Sequence, residues 1–195
     1  SGTTAEMAAG WNTAVNASIS GKKKVYITLG ANWTATSGSF GTSTGGRIDI
    51  KTGSDIVLNL NGKTINRGLT SATASGGVIM VETASSLEIT GTGVITGGYT
   101  DGNGGGIYTM GTLKLSGGTI KGNRAVSGGG VYVHIGASVT VAGATVTENI
   151  TGDGGVSSGS GGGIYVNGVG ATLTMTSGTI SKNAAWKGGG VALYA

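Results

Sequence analysis

A pair of glycines followed by an apolar residue keeps returning along this chain. It stands at Gly76-Gly77-Val78, Gly105-Gly106-Ile107, Gly129-Gly130-Val131, Gly162-Gly163-Ile164 and Gly189-Gly190-Val191. A degenerate earlier copy is Gly45-Gly46, with Ile48 two places on. The intervals between copies run from 24 to 33 residues. A repeat that persists while its length varies means a constant frame of short elements joined by turns of unequal size. Two more segments return in each unit. One alternates apolar, any, apolar: Leu58/Leu60, Leu87/Ile89, Leu113/Leu115, Val139/Val141 and Leu173/Met175. The other centres on Ile65, Ile95, Ile120, Val146 and Ile180.

Three period-two segments per unit of about 29 residues predict an all-β fold: a right-handed parallel β-helix of about six three-strand coils. No single coil can bury its apolar residues, but stacked coils set Ile on Ile and Leu on Leu at roughly 4.8 Å. The chain has 43 glycines, whose missing side chains suit tight corners, and no proline, which would delete a ladder hydrogen bond. A helical reading fails on that glycine content, at about 1 kcal/mol for each helical glycine relative to alanine.

Residues 1–20 differ from the rest. Met7, Trp11, Ala14, Val15 and Ile19 fall at helical spacing, and Thr3 with Glu6 fits a capping box. An amphipathic helix over Thr4–Ser18 is expected to cover the first coil. Residues 21–44 read as an irregular first coil and residues 45–195 as β-helix repeats. The sequence stops in mid-coil, so a fragment of a longer chain, monomeric as such, is expected.

Composition removes several classes of function. There is no cysteine, hence no disulfide framework, thiolate metal site or cysteine nucleophile. Twelve basic and eight acidic residues are scattered, with one basic run at Lys22-Lys23-Lys24, a poor pattern for binding nucleic acid. No apolar run approaches the roughly 18 residues of a membrane helix, so membrane insertion is not expected.

Three corners share one pattern: Ile120-Lys121-Gly122-Asn123 before Gly128-Gly129-Gly130-Val131, Val146-Thr147-Glu148-Asn149 before Gly161-Gly162-Gly163-Ile164, and Ile180-Ser181-Lys182-Asn183 before Gly188-Gly189-Gly190-Val191. The pattern resembles the paired GGA[ILV] and FxxN motifs of polymorphic outer-membrane protein repeats, found in chlamydial adhesins and other large microbial surface proteins. Phe is replaced by Ile or Val, the Ala of GGA by Gly, and Gly98 and Gly68 stand where two earlier units would carry Asn. The resemblance covers roughly residues 45–195. It implies a β-helix of the pectin-lyase-like superfamily, a surface-displayed, non-catalytic adhesive or structural role, and an extracellular or cell-surface location.

Asn123, Asn149 and Asn183 share one corner and read as an amide ladder satisfying corner backbone groups. Tyr108, Tyr132 and Tyr165 fall between inward apolar residues. They should point outward and stack, with Ile79 before them and Ala192 after. Tyr99 and Trp186 lie in loops entering the same strand. Such a strip can be a stabilising ladder or a surface for a host or microbial glycan or protein, with 150–161 as one wall. Asp101 and Asn103 form a weak calcium loop, echoed at Gly152-Asp153-Gly154-Gly155, but a single carboxylate makes a poor site, so no cofactor is expected. Pectate-lyase-like and polygalacturonase-like enzymes share the architecture and need clustered acids. The acids here scatter over several faces; Glu88, for instance, lies in an outward column with Asn59, Lys114, Thr140 and Thr174. His134 has no partner set. Threonines at 64, 119, 145 and 179 suggest ice binding, but Lys121 and Asn66 interrupt the array. The expected function is therefore a non-catalytic structural or adhesive module. A carbohydrate-binding module is the alternative, and a polysaccharide lyase or hydrolase fragment a more distant one.

Overall fold

A computed structural model describes residues 3–43, 45–152 and 158–194. The chain forms a parallel β-solenoid of about six coils, preceded by one helix. Each coil gives one strand to each of three faces. The first face stacks Lys24–Thr28, Asp55–Asn59, Ser86–Thr90 and Thr112–Leu115. The second stacks Trp33–Thr34, Lys63–Asn66, Gly93–Thr96 and Thr119–Lys121. Both continue into Ser138–Thr147 and Thr172–Ser181, long strands that turn from one face to the next and merge the two faces into a ten-stranded sheet. The third face is a six-stranded sheet of Ile48–Ile50, Ile79–Val81, Ile107–Thr109, Val131–Val133, Ile164–Asn167 and Val191–Tyr194.

Inward columns follow the alternation. Trp33, Ile65, Ile95, Ile120, Val146 and Ile180 stack in register, and the first five are buried. Residues 21–44 supply strands to the first two faces, and Ile48–Ile50 begins the third.

Two registers differ from the sequence alignment. Leu58 pairs with Ile89, and Ile56 takes the place beside Leu87, so Val57 rather than Asn59 adjoins Glu88 in the outward column. The cause is a corner that shortens along the solenoid: nine residues from Ile56 to Ile65, eight from Leu87 to Ile95, seven from Leu113 to Ile120. The surplus puts Leu60 inside, fully buried. It occupies space that later glycines leave open, since a Cβ on Gly93 would lie 2.6 Å from Leu60 and one on Gly118 2.7 Å. Likewise Ile79, not Val78, pairs with Ile107.

That second shift has a packing reason. Asn123, Asn149 and Asn183 point inward, and each lies against a glycine of the preceding coil. A Cβ on Gly106, Gly130 or Gly163 would come within 3.1, 2.9 or 2.8 Å of the respective amide nitrogen. One coil earlier the corner carries Gly98, and Val78 fills the space instead, its Cγ2 2.9 Å from where a Gly98 Cβ would stand. Asparagine facing glycine becomes glycine facing valine. The amides form the expected ladder. Asn123 Nδ2 and its backbone N–H donate to Asn149 Oδ1 (3.0 and 3.1 Å), and Asn149 repeats this onto Asn183 (3.0 and 2.9 Å). Each Nδ2 also donates to a strand carbonyl of the preceding coil: Ile95, Ile120 and Val146.

Helix α1 spans Thr4–Gly21, three residues beyond the expected end, and carries the Thr3/Glu6 capping box. Lys22 closes it in a left-handed conformation (φ 46°). Ala8, Trp11, Val15 and Ser18 are its buried face, while Ile19 is exposed, contrary to the periodicity reading. Ser18 takes that place because its hydroxyl accepts from Asp55 N–H (2.9 Å) and donates to Lys23 C=O (2.6 Å), pinning the helix to the first face. Trp11 meets Trp33 at 5.9 Å, and Trp33 meets Phe40 edge-on at 5.2 Å, plugging the interior of coil one.

Two glycines separate backbone strain from close approach. Gly122 has φ 63°, and a Cβ there would meet only the Thr96 hydroxyl, at 3.2 Å, a side chain that can turn aside, so Gly122→Ala should cost little beyond the left-handed penalty of about 1 kcal/mol. Gly130 has an ordinary φ, yet its Cβ would stand 2.6 Å from the Gly163 carbonyl. Gly130→Ala should therefore cost roughly 3 kcal/mol or more, since overpacking forces the backbone to move. Urea unfolding of both variants checks the order; Gly122→Ala being the more damaging would contradict this account.

Candidate functional site

The third face presents one outward column in register through all six strands: Asp49, Met80, Tyr108, Tyr132, Tyr165, Ala192. The tyrosines stack as expected, with centroids 4.9 Å apart between Tyr108 and Tyr132 (14° between planes) and 5.4 Å between Tyr132 and Tyr165 (17°). The residue before them is Met80; Ile79, expected there, is fully buried inside. The shift comes from the extra inward position that Val78 occupies. Tyr132 is only 6% exposed, so both faces of its ring are spent on neighbouring rings. His134 joins the column, its ring 5.9 Å from Tyr108 and 6.5 Å from Tyr132.

Burial pushes all three phenols up, and Tyr132, flanked by the other two, reaches about 12. At Tyr108 the positive charge of Arg47 opposes the rise.

The other aromatics do not join the ladder. Tyr99 lies under the Arg124 guanidinium (5.0 Å), and the half-exposed Trp186 lies under Lys187 Nζ (4.4 Å). Asp101 and Asn103 part company as well: Asp101 faces solvent, whereas Asn103 lines a cleft. Asp153–Gly155, and the middle of the 150–161 wall, lie outside the described residues. No group of three or more His, Asp or Glu side chains converges among the described residues.

The cleft measures about 210 Å³ and opens where the tyrosine ladder gives way to Met80. Met80, Met110 and Tyr108 supply apolar surface; Arg47, Ser75, Thr100 and Asn103 supply polar groups. Corner segments of two successive coils bring Ser75 and Asn103 to it, with Ser75 held in a left-handed conformation (φ 59°). At its rim Arg47 Nε donates to Asp49 (2.9 Å), and Lys51 Nζ binds both Asp49 and Glu82 (2.9 Å each). Donating to Asp49 and then to Glu82 holds the Lys51 ammonium above its ordinary value. Behind the cleft Arg67 is buried, donating to the carbonyls of Gly38, Gly45, Ser75 and Gly77. Desolvation, with repulsion from Arg47, brings its pKa down to about 10.

Glu88 and Glu6 are occupied elsewhere. Glu88 binds Ser116 (2.6 Å) and Lys114 (2.9 Å), which hold its carboxyl below the usual range. Glu6 caps the helix. The threonine columns of the second face stack in the expected register, with Val94 and Lys121 among them. Among the described residues no helix is long and apolar enough to cross a membrane.

Comparison with known protein families, with curated proteins and with solved structures gives no match to this chain.

Met80, Arg47, Arg67 and Ser75 escaped the sequence reading. The Val78 insertion hides the register of Met80, and Arg47 and Ser75 precede or interrupt the regular repeat. A valine in the place of the second glycine of the pair was the available signal.

The raised phenols make an alkaline prediction. Between about pH 10, where an ordinary tyrosine titrates, and about 12, the unfolded chain loses a Tyr132 proton that the folded chain keeps. Stability from this group is therefore complete below pH 10 and falls as the pH rises toward 12. Phenolate absorbance should show a late-titrating class that Tyr132→Phe removes; a titration unchanged by that substitution would contradict the assignment.

Proposed function

We propose that this chain is a non-catalytic structural and adhesive module of a microbial cell-surface or secreted protein, acting outside the cell. The observation that carries the reading is the use of side chains on all three faces. Inward residues stack into one core, the corner asparagines hydrogen-bond to one another, and the outward tyrosines pack ring on ring. Such a unit extends by adding coils and holds a surface at a fixed distance. The corner resemblance to polymorphic outer-membrane protein repeats supports the same reading, and with it membership of the pectin-lyase-like right-handed β-helices.

A carbohydrate-binding module is the second reading. It is favoured by the cleft beside Tyr108, which combines a ring, hydroxyls, an amide and a guanidinium.

The test is adhesion of beads coated with the 195-residue chain to host and bacterial cells. Parent beads should bind at least threefold above uncoated ones, and a folded Tyr165→Ala/Trp186→Ala variant should lose most of that margin. Equal binding by the variant would remove the exposed aromatics from the contact. Parent beads that never exceed the blank would remove the adhesive role and leave that of a spacer.

A further inference from the structure

We propose that the cleft below Tyr108 binds a single sugar ring carrying an anionic group, a carboxylate or a sulfate, as one more rung of the tyrosine ladder. The inference deepens the adhesive reading and rests on it for its biological setting, but the site stands on its own geometry. Tyr165, Tyr132 and Tyr108 repeat at about the spacing of the coils. At the next two register positions the rings stop, and Met80 and Asp49 take their places. A thioether chain is narrower than a phenol ring is broad, so the cleft opens where a fourth ring would sit. Its 210 Å³ is below the roughly 300–1,000 Å³ of pockets for drug-sized ligands, which limits the occupant to one ring-sized residue. A pyranose can lay its C–H face against the Met80–Tyr108 floor and turn its hydroxyls outward.

The walls offer what those hydroxyls need. The Asn103 side-chain amide makes no hydrogen bond among the described residues, and Ser75 and Thr100 stand beside it. Charge selects the anion. Arg47 uses Nε on Asp49, while its two Nη groups donate to nothing among the described residues. Arg67, behind the wall, meets only carbonyl oxygens. Arg47 is the one charged side chain among the described residues that line the cleft. A free guanidinium fork is suited to a carboxylate or sulfate.

The chain has four methionines, two of them in the cleft, so methyl NMR reads the site directly. Glucuronate, glucose 6-sulfate and glucose are titrated separately into the 13C-methyl-methionine protein. Either anion should shift the Met80 and Met110 signals and leave Met7 and Met175 in place; which anion binds tighter decides between carboxylate and sulfate. Glucose should bind at least tenfold more weakly. Arg47→Gln, which leaves Asp49 paired with Lys51, should weaken the anion about tenfold at unchanged melting temperature, and Asn103→Ala should weaken all three sugars. Glucose binding as well as the anions, an Arg47→Gln protein binding like the parent, or no shift at 20 mM ligand would each overturn the proposal. Bead adhesion does not enter this measurement, so the site and the adhesive role can fail separately.

Discussion

The contact of Gly106, Gly130 and Gly163 with the asparagine of the following coil governs the repeating part of the molecule. At Gly106, Gly130 and Gly163 a single added carbon would meet a carbonyl of the next coil at 2.5–2.6 Å and crowd the amide beside it. Backbones this close fix the rise from coil to coil, and the asparagine satisfies the corner groups that no strand can reach. With rise and corner fixed, every column on the three faces follows. The isoleucines inside and the tyrosines outside are consequences of the same rung spacing.

Most of this frame could be read from the sequence, because it is written in repeated residues. The second-face column, the amide ladder and the tyrosine stack correspond to patterns that survive translation by one unit, and the capping box to a local signature four residues long. What could not be read lies where a coil departs from its neighbours. Leu60 and Val78 are both apolar residues in tolerable places, so an alignment by eye absorbs them and displaces the columns by two residues or by one. Only packing shows that each fills space that a glycine on another coil leaves empty. Ile19 and Ser18 make the same point on the helix: periodicity favours the isoleucine, but a hydroxyl bridging two backbone segments takes the buried position.

The candidate site was legible in its parts and not in its assembly. The tyrosines were visible as an outward series, yet their stacking closes the ring faces that made them attractive for recognition. The accessible chemistry moves to the end of the series, where the break in ring character coincides with the Arg47 guanidinium. Arg67 could not be anticipated there. It stands two residues after its coil's inward isoleucine, where later coils carry Gly97, Gly122, Glu148 and Lys182, and its burial depends on four carbonyls drawn from two separate loops.

The direction of the ladders also sets how the molecule carries load. Inter-strand hydrogen bonds run from strand to strand, slanted in a parallel ladder, and in a solenoid that direction lies near the long axis. Tension between the two ends therefore pulls along the bonds and reaches them a few at a time, where shear would engage a whole strand together. An element built this way opens one winding after another, each releasing two or three dozen residues of slack while its neighbours stay folded. The asparagine row, running through successive windings, is the set of bonds that such a peeling front must cross next.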